Sequence, residues 1–107
     1  MIAELATGKI VDGAKALSLP EIRTALESLP GWTLSDDGRA LERRFETKNF
    51  VRAQTIATLA GGVGEMANHH PDISYGWGYC HLRFSTHSAG GVTQNDLICA
   101  ARLNILF

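Results

Sequence analysis

Long apolar runs are missing from this sequence, and so is an excess of either charge. No apolar stretch approaches the roughly 20 residues of a membrane span, so no transmembrane helix is expected. The N-terminus, Met1-Ile2-Ala3-Glu4-Leu5, has neither the basic start nor the apolar region of a secretory leader. Lys and Arg number 10 against 11 Asp and Glu, so the basic footprint of a nucleic-acid binder is absent. Cysteine is scarce. Cys80 and Cys99 stand in no paired motif, whereas a disulfide scaffold of this size would carry more. A reducing, cytoplasmic setting is therefore expected, without membrane or nucleic acid as partner. No internal repeat or low-complexity tract is present.

What is there fits one globular domain. The chain has 107 residues, 45% of them hydrophobic and 20% charged, enough for a single modest core that self-association would help to complete. Residues 1–17 show weak periodicity and read as an N-terminal extension, a loose lead-in to a domain over 18–107. Ser18-Leu19-Pro20-Glu21 is a helix start, with a Ser cap, Pro in the first turn and Glu closing a capping box. Ile22, Ala25, Leu26 and Leu29 keep helical spacing until Pro30-Gly31. Trp32-Thr33-Leu34 and Leu41 to Glu46 predict a hairpin around Ser35-Asp36-Asp37-Gly38. Its second strand alternates imperfectly, because Arg43 shares a face with Leu41 and Phe45.

The longest element runs over about 49–68, where Phe50, Ala53, Ile56, Ala57, Ala60, Val63 and Ala67 mark one helix face. Thr47 or Asn49 is the candidate cap. Gly61, Gly62 and Gly64 weaken its middle by about 1 kcal/mol each relative to Ala; a close packing partner is the favoured explanation, and a backbone that must approach a ligand is the sharper alternative. Asp72 to Tyr75 predicts a third strand and Gly76-Trp77-Gly78 a turn. Tyr79 to Thr86 is the clearest strand, with Cys80, Leu82 and Phe84 on the core face. Thr93 to Asp96 opens a final helix. The order α-β-β-α-β-β-α predicts an α+β fold: a four-stranded antiparallel sheet with three helices packed on one face.

The candidate chemistry is histidine chemistry. His69 and His70 interrupt the chain between the long helix and Pro71, and His87 stands where the best strand ends. Element ends are where sites are commonly built, and imidazole titrates near neutrality. Glu65, four residues before His69, shares its face if the helix continues that far. Asp96 is adequately explained by capping and the helix dipole. His81 lies on the polar strand face and reads as a surface or interface residue. A metal site could draw on His69, His70, His87 and Cys80. Cys80 alternates toward the core, however, and no H-x-x-x-H or C-x-x-C spacing occurs. No metal is expected.

The combined string Glu65-x3-His69-His70-Pro71-x5-Trp77-x9-His87-x8-Asp96 resembles the full motif of the pterin-4a-carbinolamine dehydratases. Leu29-Pro30-Gly31-Trp32, the pair Phe45 and Phe50, Ser85-Thr86-His87 and Gly91-Val92-Thr93 resemble further family segments, so the likeness covers about 18–106. It implies the α+β domain described above. It also implies removal of water from 4a-hydroxytetrahydropterin to give quinonoid dihydropterin, with no metal or organic cofactor. By resemblance, His69 and His87 are the acid/base pair, His70 binds and orients the ring, and Glu65 and Asp96 support the histidines. Pro71, Trp77, Thr86, Ser88 and Ala89 complete the substrate contacts.

Three departures stand out. Trp77 occupies a position where Tyr is also common, Asn68 replaces an acidic residue of some members, and the 76–78 turn is rich in Gly. The resemblance implies a homodimer or homotetramer. The apolar arc of the final helix, Leu97, Ile98, Ala101, Leu103, Ile105 and Leu106, suggests a second subunit as its outer neighbour. A non-catalytic role through a protein partner is the alternative, as for family members that act as transcriptional dimerisation cofactors or as carboxysome-linked assembly factors for ribulose bisphosphate carboxylase.

Overall fold

The computed structural model describes residues 2–107. Helix α1 (Ile2–Ala6) and helix α2 (Leu19–Leu26) precede a hairpin of β1 (Thr33–Leu34) and β2 (Leu41–Glu46). Helix α3 (Phe50–Ala67) follows, then β3 (Asp72–Gly76), β4 (Tyr79–Phe84), a 3-10 turn at His87–Ala89 and helix α4 (Gln94–Ile105). The four strands form one antiparallel sheet in the order β1-β2-β4-β3, so the expected α+β architecture is observed. Helices α3 and α4 pack on the sheet. Among the described residues no helix is long and apolar enough to cross a membrane.

Local chemistry sets the boundaries. Ser18 and Glu21 form the reciprocal capping box expected at the start of α2. Asn49, rather than Thr47, caps α3 by accepting the Arg52 N–H at 2.8 Å. The core is the expected strand face, Cys80, Leu82 and Phe84, packed with Leu41 against Ala53, Ile56, Ala57 and Ala60 of α3. Leu97, Ala100, Ala101 and Leu103 of α4 close it. The outer sheet face is polar. There His81, as expected a surface histidine, lies 3.3 Å from Glu42, which also pairs with Arg83 at 3.6 Å.

Arg43 breaks the alternation of β2 for an identifiable reason. Its guanidinium lies over the Phe45 ring and donates to Asn104 on α4, whose oxygen also accepts from the Trp32 indole at 2.8 Å. Arg43 also fills the space beside Gly31, where φ is +88° and a Cβ would lie 2.6 Å from the guanidinium nitrogen.

Three sequence readings are corrected by the structure. Residues 2–17 are not loose: α1 packs on α4, Gly8 lies against Ile98, and Arg102 donates to the Ala6 and Gly8 carbonyls at 3.0 Å each. The wide apolar arc of α4 accordingly has its second neighbour within the chain. Leu97, Ile98, Ala101 and Leu103 are buried, and of the arc only Ile105 and Leu106 remain exposed. Of the α3 glycines, Gly64 alone is explained by packing. A Cβ there would lie 2.6 Å from Pro71 Cδ, whereas at Gly61 and Gly62 it would meet nothing within 4 Å.

Candidate active site

Helix α3 ends at Ala67, two residues short of His69. Asn68 takes the left-handed conformation (φ 50°, ψ 39°), which Asn tolerates better than most side chains. The chain then folds back so that the His69 N–H donates to the Gly64 carbonyl at 2.9 Å. Gly64 is required for this return, because 69–71 passes over it. The reversal separates the two histidines. His69 turns inward, its side chain mostly buried, while His70 stays exposed.

His69 meets α4. Its Nε2 lies 2.5 Å from Asp96 Oδ1, and its ring stacks on Phe84 with centroids 6.1 Å apart and planes 15° from parallel. Asp96 is fully buried. Its second oxygen, Oδ2, accepts from the Thr86 hydroxyl and from the Thr93 backbone N–H, both at 2.8 Å. The Thr86 and Thr93 hydroxyls are themselves 2.8 Å apart. Asp96 thus caps the start of α4 with one oxygen and holds a histidine with the other. The capping expected from its sequence position is therefore one of its two roles.

A carboxylate only accepts hydrogen bonds, so His69 Nε2 carries a proton and Nδ1 is the nitrogen left for chemistry. Neutral His69 is then a base at Nδ1, and its imidazolium is an acid at the same atom. Every side-chain polar atom buried among the described residues has a hydrogen-bond partner.

His69 opens into a cavity of about 600 Å³, lined also by Asn68, Thr86, Ser88 and Asn95, with residues 10–14 forming another wall. Thr86 and Ser88, both expected in the site, are brought to His69. The other candidates stand elsewhere. Glu65 does not pair with His69; with the helix ended at Ala67 it reaches His70, Oε2 to Nε2 3.0 Å, at the surface. His87 is exposed on the 3-10 turn. It lines a separate hollow of about 230 Å³ with Asp37, Arg39, Arg83, Ser85 and Gly90. In that hollow the Ser35 hydroxyl, and next the Arg39 N–H, hold the Asp37 carboxyl below the usual carboxylate range.

Ala89 lies on the same turn, and Pro71 packs against Gly64. Trp77 is exposed in the β3–β4 turn, at the opposite end of β4 from Thr86. At about 3.3 Å per residue it is some 20 Å or more from the His69 cavity within one chain. Cys80 is buried in the core. Among the described residues no group of three His, Cys, Asp or Glu side chains is placed to hold a metal ion. Residues 10–14 and Asn95 carry no signal in the sequence, and Asn68 is marked there only as a departure from the family's acidic residue. Their roles depend on backbone geometry and on contacts across more than eighty residues.

Comparison with known proteins bears on this arrangement. The family model described as Pterin 4 alpha carbinolamine dehydratase matches residues 15–106. A protein of Paracoccus denitrificans, provisionally named a pterin-4-alpha-carbinolamine dehydratase, is 54% identical over 96 residues, 90% of each chain. One of Koribacter versatilis with the same provisional name is 41% identical over 91 residues, 85% of this chain and 95% of that one. The crystal structure of a transcriptional coactivator/pterin dehydratase from Brucella melitensis superimposes with a TM-score of 0.79 at 30% identity. It covers 86% of this chain and 98% of its own. Sequence and fold agree across the segment that carries His69, Thr86 and Asp96, and the chain belongs to the pterin-4a-carbinolamine dehydratase family.

Proposed function

We propose that the protein is a hydro-lyase that converts 4a-hydroxytetrahydropterin to quinonoid dihydropterin and water, in the recycling of tetrahydropterin. The observation that carries this reading is His69 at a cavity wall with Asp96 buried behind it. In the reaction the bond from C4a to the hydroxyl oxygen breaks. The oxygen leaves as water after taking one proton, the N5 lone pair forms the new C4a–N5 double bond, and the N5 proton is lost to a base. Hydroxide is a poor leaving group, so a positioned acid is needed. Such proton transfers contribute about 100- to 10,000-fold each.

His69 Nδ1 is the group we assign to proton transfer, with Asp96 stabilising its imidazolium. Thr86 and Ser88 supply polar contacts to the ring. His87 remains the second acid/base candidate by family resemblance, acting from the turn that borders the cavity through Ser88. His70, paired with Glu65, is assigned to binding the exposed part of the substrate. Pro71 and Ala89 are assigned to edge contacts. Trp77 is assigned to substrate contact only if an assembly brings it to a neighbouring site. The chemistry needs no metal or organic cofactor.

We place the enzyme in the cytoplasm, as a homodimer or homotetramer. The assembly reading is supported by the open β3 edge of the sheet, where Ile73, Tyr75 and Trp77 are exposed beside Phe50. A second reading, action through protein contact, is favoured by the Brucella relative, which is described as a transcriptional coactivator as well as a pterin dehydratase. One assay separates the two. Chelator-treated protein should accelerate dehydration of 4a-hydroxytetrahydropterin, followed by absorbance. Absence of acceleration by folded protein would favour the protein-contact reading, and activity lost on chelation and restored by metal would overturn the metal-free chemistry.

A further inference from the structure

The segment before the family-matched region is fastened at three points to one face of α4. Asn95, Ile98 and Arg102 stand at positions i, i+3 and i+7. The Asn95 side chain accepts the Val11 N–H at 3.0 Å and donates to the Val11 carbonyl at 2.8 Å, as a neighbouring strand would. Ile98 packs on Gly8, and Arg102 holds the Ala6 and Gly8 carbonyls. Beyond these anchors, residues 10–14 turn at Gly13 (φ +75°) and wall the His69 cavity. Asn95 is buried and adjacent to Asp96. The first turn of α4 therefore fixes both His69 and the segment across the cavity from α4's capping network.

Asp12 is the only carboxylate among the residues that line this cavity. The pyrimidine ring of a pterin presents its 2-amino group and N3–H side by side, a donor pair that matches a carboxylate as a guanidinium fork does. We infer that residues 10–14 are a wall of the substrate site and that Asp12 is a specificity-determining residue that accepts from this donor edge. The inference rests on the proposed pterin reaction and adds to it a recognition element outside the segment the family model matches.

The test uses the full chain and two probes, dihydropterin and dihydrolumazine, in which an oxo group replaces the 2-amino group. Binding is measured by calorimetry for wild type, Asp12→Asn, Asn95→Ala and, as a control, Asp36→Asn, which lies outside this cavity. Wild type should prefer dihydropterin by about tenfold, the worth of one charge-assisted hydrogen bond. Asp12→Asn should lose that preference by weakening dihydropterin alone, and kcat/KM should fall chiefly through KM. Asn95→Ala should weaken both probes, and Asp36→Asn should match wild type. A wild type that binds dihydropterin without preference, or an Asp12→Asn variant that keeps the preference, overturns the inference while leaving the proposed reaction standing. A folded wild type that binds neither probe overturns both.

Discussion

Replacing Asp96 removes a side chain with three hydrogen-bond partners and no exposure to solvent. In Asp96→Ala the Thr86 hydroxyl keeps Thr93 Oγ1 as a partner, but the Thr93 N–H and His69 Nε2 lose theirs. An orphaned buried donor costs about 1–3 kcal/mol, and breaking a buried charged pair about 3–5 kcal/mol. These losses overlap, so the expected total is roughly 3–5 kcal/mol. With a urea dependence of about 1.5 kcal/mol/M, the midpoint should fall by roughly 2–3 M. Asp96→Asn keeps one acceptor oxygen and the side-chain volume, and should cost about half as much. Its neutral amide cannot stabilise an imidazolium, so turnover should still drop about 100-fold or more. Urea titration by circular dichroism, with the dehydration rate measured on the folded fraction, checks both halves. An alanine variant with the wild-type midpoint would refute the energetic account, and an asparagine variant with the wild-type rate would refute the catalytic one.

Other substitutions probe the frame around the site. Gly64→Ala should destabilise by about 1–3 kcal/mol, because its Cβ would strike Pro71. Gly62→Ala, with open space at the Cβ, should instead stabilise by about 1 kcal/mol in thermal melts of the single chain. Burial pushes the Cys99 thiol up to about 12, so near pH 8 it should resist alkylation until the protein is denatured; rapid labelling of native protein by mass spectrometry would contradict the packing. Leu103→Glu should abolish folding, since Leu103 is in the core, whereas Leu106→Glu at an exposed position should shift stability by less than about 0.5 kcal/mol. Sedimentation of wild type should show a closed oligomer at micromolar concentration, and a stable monomer would overturn the assembly reading.

Much of this geometry is legible in the sequence where one residue type has one local job. The capping box at Ser18, the cap at Asn49 and the alternation of Cys80, Leu82 and Phe84 each predict what is observed. The left-handed turn at Asn68 was not legible, and it redirects Glu65 from His69 to His70. Arg43 reads as a polar residue on an apolar face because its partner, Asn104, is sixty-one positions away. Residues 2–17 read as loose because the apolar pattern that packs there, Ile2, Leu5 and Ala6 of α1, spans only five residues, and the chain beyond it is held by its backbone through Arg102 and Asn95. Asp96 shows the same limit from another side. Its capping role is local and predictable, while its bond to His69 spans twenty-seven residues.

The most direct test of the central claim is the dehydration rate of 4a-hydroxytetrahydropterin with wild type and with His69→Ala, at matched folded concentration. The account predicts strong acceleration by wild type and a loss of roughly 100-fold or more in kcat for the variant, with native circular dichroism retained. An equally active His69→Ala variant would contradict the assignment of His69 as the proton-transfer group.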